Sequence, residues 1–191
     1  MILSDLIIRN RSYRRFDGTY EISVETLKEL IDLARLSPSG KNMQALRYVL
    51  SVGKERNDKI FPCLTWAAYL RDWNGPEPHE RSTAYIVVTM DTQLTDYIFC
   101  DDGIAMQSIL LGAVEKGLGG CIIGAVHKEK LREVLCLPEH YRILYVMALG
   151  KPVETVVIEE MQNNDIRYWR DEDRVHHVPK RRLEDLIIQP E

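Results

Sequence analysis

Residues 103–116 constrain this chain most. Ile104, Ala105, Ile109, Leu110, Ala113 and Val114 leave little of that helix circumference polar. A helix apolar nearly all round cannot rest on a surface, so it belongs at the centre of the fold with other layers packed against it. Asp101 and Asp102 precede it as capping acids, and Gly117 follows Lys116 as a stop signal. Leu3–Arg9 reads as a short helix. Ser23 is the expected N-cap of a second, with Glu25 in the first turn. Val24, Leu27, Leu30, Ile31 and Ala34 form one buried face of that helix, and Pro38 ends it. Residues 46–52, 84–90, 121–123 and 143–149 read as strands. Residues 54–70 read as a helix interrupted by Pro62, residues 128–135 as another, and Gly75, Pro76 and Pro78 make residues 72–82 a loop. Helices and strands mix without strict βαβ order, so the expected class is α+β.

The chain has 191 residues, enough for one domain with a sizeable core. Residues 154–191 form a less periodic and more charged tail of that domain. It carries His176-His177 and closes on Leu183, Leu186, Ile187 and Ile188. An apolar stretch behind a polar connector cannot bury itself alone, and a second subunit is the natural cover. The formal net charge of -4 argues against nucleic acid as the main partner. Cys63, Cys100, Cys121 and Cys136 show no CxxC pairing and no metal-ligand spacing with histidine, so they read as reduced, mostly buried thiols. No apolar stretch approaches the roughly 20 residues of a membrane span, and the N-terminus lacks a basic leader. A cytoplasmic protein without membrane contact is expected.

Against that acidic background, three separated segments look like parts of one cradle. Asn10-Arg11-Ser12-Tyr13-Arg14-Arg15-Phe16 offers guanidinium forks with a hydroxyl between them, a grouping suited to a phosphate dianion. Val178-Pro179-Lys180-Arg181-Arg182 brings more cations from the far end of the chain. Ser37-Pro38-Ser39-Gly40-Lys41-Asn42-Met43-Gln44 is a loop rich in donors and acceptors directly after an amphipathic helix. Either basic cluster alone would read as solvated surface.

With these segments the chain resembles the FMN-dependent nitroreductase superfamily over nearly its whole length. The Arg-Ser-x-Arg segment, the Pro-Ser-x-x-Asn-x-Gln loop (Pro38, Ser39, Asn42, Gln44), the Gly117-Leu118-Gly119 stretch and the closing Pro-Lys-x-Arg (Pro179, Lys180, Arg182) occur in the family's order. The resemblance implies a central, mostly antiparallel sheet flanked by helices in an intertwined homodimer, with FMN at each subunit interface. Arg11, Ser12, Arg14, Lys180 and Arg182 would hold the phosphate and ribityl chain. Pro38, Ser39, Gly40 and Asn42 would reach the partner subunit's flavin, with Gln44 supporting the loop. A backbone N–H of Ile123 or Gly124 would meet the ring near its reactive nitrogen. NAD(P)H would reduce the flavin and leave, and an electron-poor acceptor such as a nitroaromatic or quinone would then take the electrons. An enone or halogenated aromatic acceptor, or a nonenzymatic flavin-binding role, stays open. So do contacts of Arg47, Trp66, Tyr69 or Trp73 with substrate.

Other readings are weaker. Gly117-x-Gly119-Gly120 follows a helix and opens a strand, the reverse of a dinucleotide fingerprint. His176 and His177 point apart on most backbones and lack a third ligand, so a solvated or lightly packed pair is expected and no metal. No nucleophile–histidine–acid set is visible. Flavin chemistry needs none, because the protein supplies orientation, electrostatics and water exclusion.

Overall fold

A computed structural model describes residues 2–190. Five α-helices are present among them: α1 (Leu3–Arg9), α2 (Val24–Leu36), α3 (Lys54–Ile60), α4 (Asp101–Glu115) and α5 (Lys128–Leu135). The strands are β1 (Leu46–Val52), β2 (Ala84–Asp91), β3 (Gly119–Ile123), β4 (Tyr141–Gly150), β5 (Val156–Glu160), β6 (Trp169–Arg170) and β7 (His176–Lys180). Strands β1 to β4 form one antiparallel sheet in the order β1-β2-β4-β3. All eight residues of β2 are buried, as its near-continuous apolar sequence requires of a strand covered on both faces. One face packs on α2 and α4 through Leu27, Leu30, Ile109, Ala113, Ile86 and Met147. The other packs Val87, Val146 and Ile123 against Ile60, Trp66 and Leu131. The α+β class and the antiparallel centre agree with the sequence.

The caps explain the helix limits. Ser23 accepts from Thr26 N–H at 3.0 Å, the N-cap bond its sequence promised. Gly117 takes φ of +73° just beyond α4, where a side chain would be strained. Asp101 departs from expectation. It lies inside α4 and is buried, and its carboxylate accepts from Ser39 Oγ (2.6 Å) and Gly40 N–H (2.8 Å). It therefore caps the neighbouring loop instead of its own helix. The helix expected over residues 54–70 stops early. After α3 comes only the short 3₁₀ turn Phe61–Cys63, and Leu64 then turns extended to bridge Val126. Pro62 marks that break.

The tail is more ordered than its composition suggested. β5, β7 and β6 form a second sheet in which β5 and β7 run parallel. Pro179 is tolerated in the middle strand because the two-residue β6 pairs only with His176 and His177. Of the cysteines, Cys63 and Cys121 are buried, whereas Cys100 and Cys136 are exposed, so half of that expectation fails; all four are free thiols. No described helix is long and apolar enough to cross a membrane.

Candidate active site

The N-terminal segment reaches its place by closing a sheet edge. Strand β3 has β4 on one side only, and Ser12 bridges Gly120 on the other, with Tyr13 N–H donating to Gly120 O at 3.1 Å. Gly120 has no room for a side chain against its other neighbours: a Cβ there would stand 2.7 Å from Ala148 O on β4 and 2.8 Å from Leu110 Cδ2 on α4. The same bond fixes the parity of β3. Since Gly120 turns outward, ladder alternation turns Ile122 and Gly124 outward as well and directs the Ile123 amide toward β4. Of the two amides singled out in the sequence, Gly124 is therefore the one on the open edge, and the Ile123 side chain is buried in the core. Ile122, which sequence reasoning passed over, faces out beside it.

The second sheet arrives from the opposite end of the chain. On β7 the period of two places His176, Val178 and Lys180 on one face, and these three line a cavity of about 300 Å³ with Asn10, Arg11, Ser12, Arg14, Gln107, Leu110, Ile122 and Tyr168. The two ends thus meet. Arg11, Arg14 and Lys180 bring three cations, and among the described residues no carboxylate lines the cavity. Arg11 Nη2 donates to Ile7 O at the C-terminal end of α1 (2.7 Å), while its buried Nε has no partner among the described residues. Arg14 Nη1 donates to Ser12 O at 3.1 Å, and the guanidinium lies 5.1 Å from the Tyr168 ring centroid.

Beneath the cavity sits Glu154, whose side chain is wholly shielded from solvent. Its carboxylate accepts from the Arg14 and Arg15 backbone N–H groups and from Arg170 Nη2 at 3.0 Å. Arg15 in turn makes a bidentate, buried pair with Glu80 at 2.9 and 2.6 Å, which holds the Glu80 carboxyl below its usual range. Sequence reasoning missed Glu154, Arg170 and Tyr168. No local motif marks them, because their roles come from a pairing between segments about 140 positions apart.

His176 overturns the expected solvated pair. It is 1% exposed, and burial, reinforced by Arg14, Arg170 and His177, pushes its imidazole down to about 4. His177 does point the other way. It stacks on Trp169 at 4.8 Å and lies between Glu159 and Asp171, whose hydrogen bonds raise its pKa. No cluster of metal-binding side chains occurs among the described residues.

Two groups of expected site residues are not brought to this cavity. Arg182 follows the end of β7, and the turn at Glu184–Leu186 pairs it with Glu184 and Asp185, each at 3.4 Å. The Ser39 loop lies elsewhere on the chain. Pro38 and Ser39 line a separate cavity of about 220 Å³ with Gln44, Arg47, Tyr48 and Asp101. Gly40 and Asn42 form the turn beside it, where Lys41, Asn42 and Gln44 all hold positive φ, and Gln44 N–H donates to Ser39 Oγ at 2.9 Å. Arg47 is tied to the Gln44 and Leu46 carbonyls at 2.8 and 2.9 Å. Trp66 is core, Tyr69 packs on Tyr168, and Trp73 carries Arg170 at 4.2 Å; none of the three lines the cationic cavity.

Known proteins are similar to this chain in sequence and in fold. The oxygen-insensitive NADPH nitroreductase of Helicobacter acinonychis is 26% identical over 182 residues, covering 78% of this chain and 87% of that protein. A nitroreductase family protein of Streptococcus pneumoniae superposes over the full length of both chains with a TM-score of 0.70 at 16% identity. An FMN-dependent nitroreductase of Clostridium difficile covers 85% of this chain and 92% of its own, with a TM-score of 0.66 and 24% identity. Residues 7–72 and 80–151, which carry the Arg11 segment, the Ser39 loop and the whole first sheet, match the Nitroreductase family, and the chain belongs to it.

Proposed function

We propose that this protein is an FMN-dependent oxidoreductase that takes electrons from NAD(P)H and passes them to an electron-poor acceptor such as a nitroaromatic or quinone. The observation that carries this reading is the cavity where the chain ends meet. Among the described residues, three cations without a lining carboxylate, and a buried Arg11 Nε with no partner, suit a small dianion. The forks of Arg11 and Arg14, the Ser12 hydroxyl and the Lys180 ammonium would hold a terminal phosphate. Asn10 and Gln107, already hydrogen-bonded at 3.2 Å, would face a polyol chain. Gly124 N–H, on the open edge of β3, would orient the ring. FMN, when bound, supplies the transfer of an electron pair between two substrates that use the site in turn. The relatives named for NADPH-dependent nitroreductase and FMN-dependent nitroreductase activity support the same assignment.

The working unit in this reading is a homodimer in the cytoplasm. Helix α1 buries none of its residues, and Leu3, Ile7 and Ile8 stand exposed on it. Leu183, Leu186, Ile187 and Ile188 are likewise 60–87% exposed, apolar area that a second copy would cover. The Ser39 loop stands apart from the Arg11 cavity within one chain. Pro38, Ser39, Gly40 and Asn42 would therefore serve the flavin of the partner subunit.

Anaerobic addition of NADH or NADPH to the FMN-loaded protein tests the reading. The flavin absorbance should bleach and return when a nitroaromatic or quinone is added. FMN that binds but stays oxidised with both donors would make the protein a flavin-binding module and refute the enzyme.

A further inference from the structure

Arg14 and Arg15 are adjacent, yet the fold surrounds them differently. Arg15 is neutralised by its buried pair with Glu80. Among the described residues no carboxylate pairs with the Arg14 guanidinium. Its neighbours are uncharged: Ser12 O at 3.1 Å, His176 Nε2 at 3.4 Å, and the Tyr168 ring, whose centroid lies 5.1 Å from Cζ. A carboxylate there would cancel the charge that an anion needs, whereas a carbonyl, an imidazole and a ring face orient the guanidinium and leave that charge in place. The Tyr168 ring is itself braced, by Tyr69 edge-on at 5.0 Å and by His176 at 5.1 Å. Consecutive side chains of this segment alternate. Trp169 stacks on His177, while Tyr168 and Arg170 both serve Arg14. Tyr168 takes its guanidinium directly, and Arg170 holds Glu154, which accepts the Arg14 backbone N–H. Tyr168 lies beyond residue 151, where the family match ends, and in none of the sequence motifs.

We propose that Tyr168 is a positioning residue of this cavity, whose ring holds the Arg14 guanidinium, with its charge uncompensated, in the orientation that binds the ligand's phosphate. This rests on the phosphate reading of the site and adds a residue that the Arg-Ser-x-Arg and Pro-Lys-x-Arg segments do not contain. An arginine side chain has many rotamers, and a ring that selects one before the ligand arrives lowers the ordering cost of binding. The role needs the π face and not the phenolic hydroxyl.

The test compares FMN with riboflavin, which lacks the phosphate, in the wild type, Tyr168→Leu, Tyr168→Phe, Arg14→Ala and the Tyr168→Leu/Arg14→Ala double variant. The wild type should prefer FMN, and Tyr168→Leu, apolar but without a π face, should shrink that preference about fivefold. Tyr168→Phe, which keeps the ring, should stay within about twofold of wild type. With Arg14 already removed, Tyr168→Leu should change the ratio no further, because its effect runs through that side chain. An unchanged ratio in Tyr168→Leu, an equal loss in Tyr168→Phe, or an undiminished effect in the Arg14→Ala background each overturns the proposal, since a purely structural ring would alter both ligands alike. Proton spectra of the wild type give a second readout that needs no variant. The Arg14 guanidinium protons should be shifted upfield by the Tyr168 ring current and stay so when inorganic phosphate is added; unshifted resonances overturn the proposal. Equal wild-type affinity for FMN and riboflavin would instead refute the phosphate reading itself.

Discussion

Replacing Glu154 with glutamine is the most informative single change to the scaffold. The carboxylate ties together the N-terminal Arg segment and Arg170 of the second sheet, and its side chain has no solvent exposure. The glutamine oxygen can still accept from the Arg14 and Arg15 backbone N–H groups. Its amide nitrogen, however, would then face the Arg170 guanidinium, donor against donor. Arg170 is only 13% exposed at its side chain, so water cannot readily take over the lost charge. Removing one partner of a buried ion pair costs about 3–5 kcal/mol. For a chain of this length that corresponds to a fall of roughly 6–20 °C in Tm. Glu154→Leu should cost more, because the buried Arg15 N–H also loses its acceptor, worth about 1–3 kcal/mol. Urea and thermal unfolding of the three proteins measure this directly. A Glu154→Gln protein within about 1 kcal/mol of wild type, the usual worth of an exposed pair, would show that Glu154 does not clamp the two ends together.

Lys180→Ala should weaken FMN binding about ten- to a hundredfold, whereas Arg182→Ala, paired with Glu184 and Asp185 outside the cavity, should leave titrated affinity unchanged; the reverse order would misplace β7. Acid should destabilise the fold through His176. Its folded pKa of about 4 lies below the unfolded value, so its contribution is full above about pH 6.5 and drains by up to about 3 kcal/mol as pH falls to about 4. His177 acts with the opposite sign, its contribution being full below the unfolded pKa and lost as pH rises through the raised folded value. Urea midpoints across that range should therefore flatten on the acid side in His176→Phe, and an unaltered acid slope would rule out His176 as the source. Dimerisation should be linked to the cofactor: sedimentation over a dilution series should show FMN holding the dimer together to lower protein concentration than the apo form, and a monomer that binds FMN as tightly as the dimer would eliminate the shared site.

The parts of this fold that were legible in the sequence are those written in local pattern. The Ser23 cap, the amphipathic face of α2, the apolar β2 run and the Gly117 stop each depend on neighbours within a turn or two. Arg11, Ser12, Arg14 and Lys180 were legible through motif and family resemblance, and the structure brings them to one cavity. Pairing across the chain was not legible. The second sheet is built from short strands interrupted by Pro179 and by charged residues such as Glu159 and Lys180, so its alternation is faint. His176 looked solvated because adjacent histidines carry no sign of which one faces inward; β7 decides that by pairing with β5 and β6. Arg182 looked equivalent to Lys180 by spacing, but the strand ends at Lys180 and the period of two ends with it. Asp101 looked like a cap for its own helix, and only the approach of the Ser39 loop reassigns it.

The central claim is that the cavity between residues 10–14 and 176–180 is the phosphate site of a bound FMN. FMN content of the purified wild type and of the Arg11→Ala/Arg14→Ala double variant, both checked for folding by circular dichroism, tests it most directly. The wild type should carry FMN and not FAD. The double variant loses two sets of charge-assisted hydrogen bonds, each worth about ten- to a hundredfold in affinity, and should come off the column without flavin. A folded double variant that retains its full FMN would contradict the account.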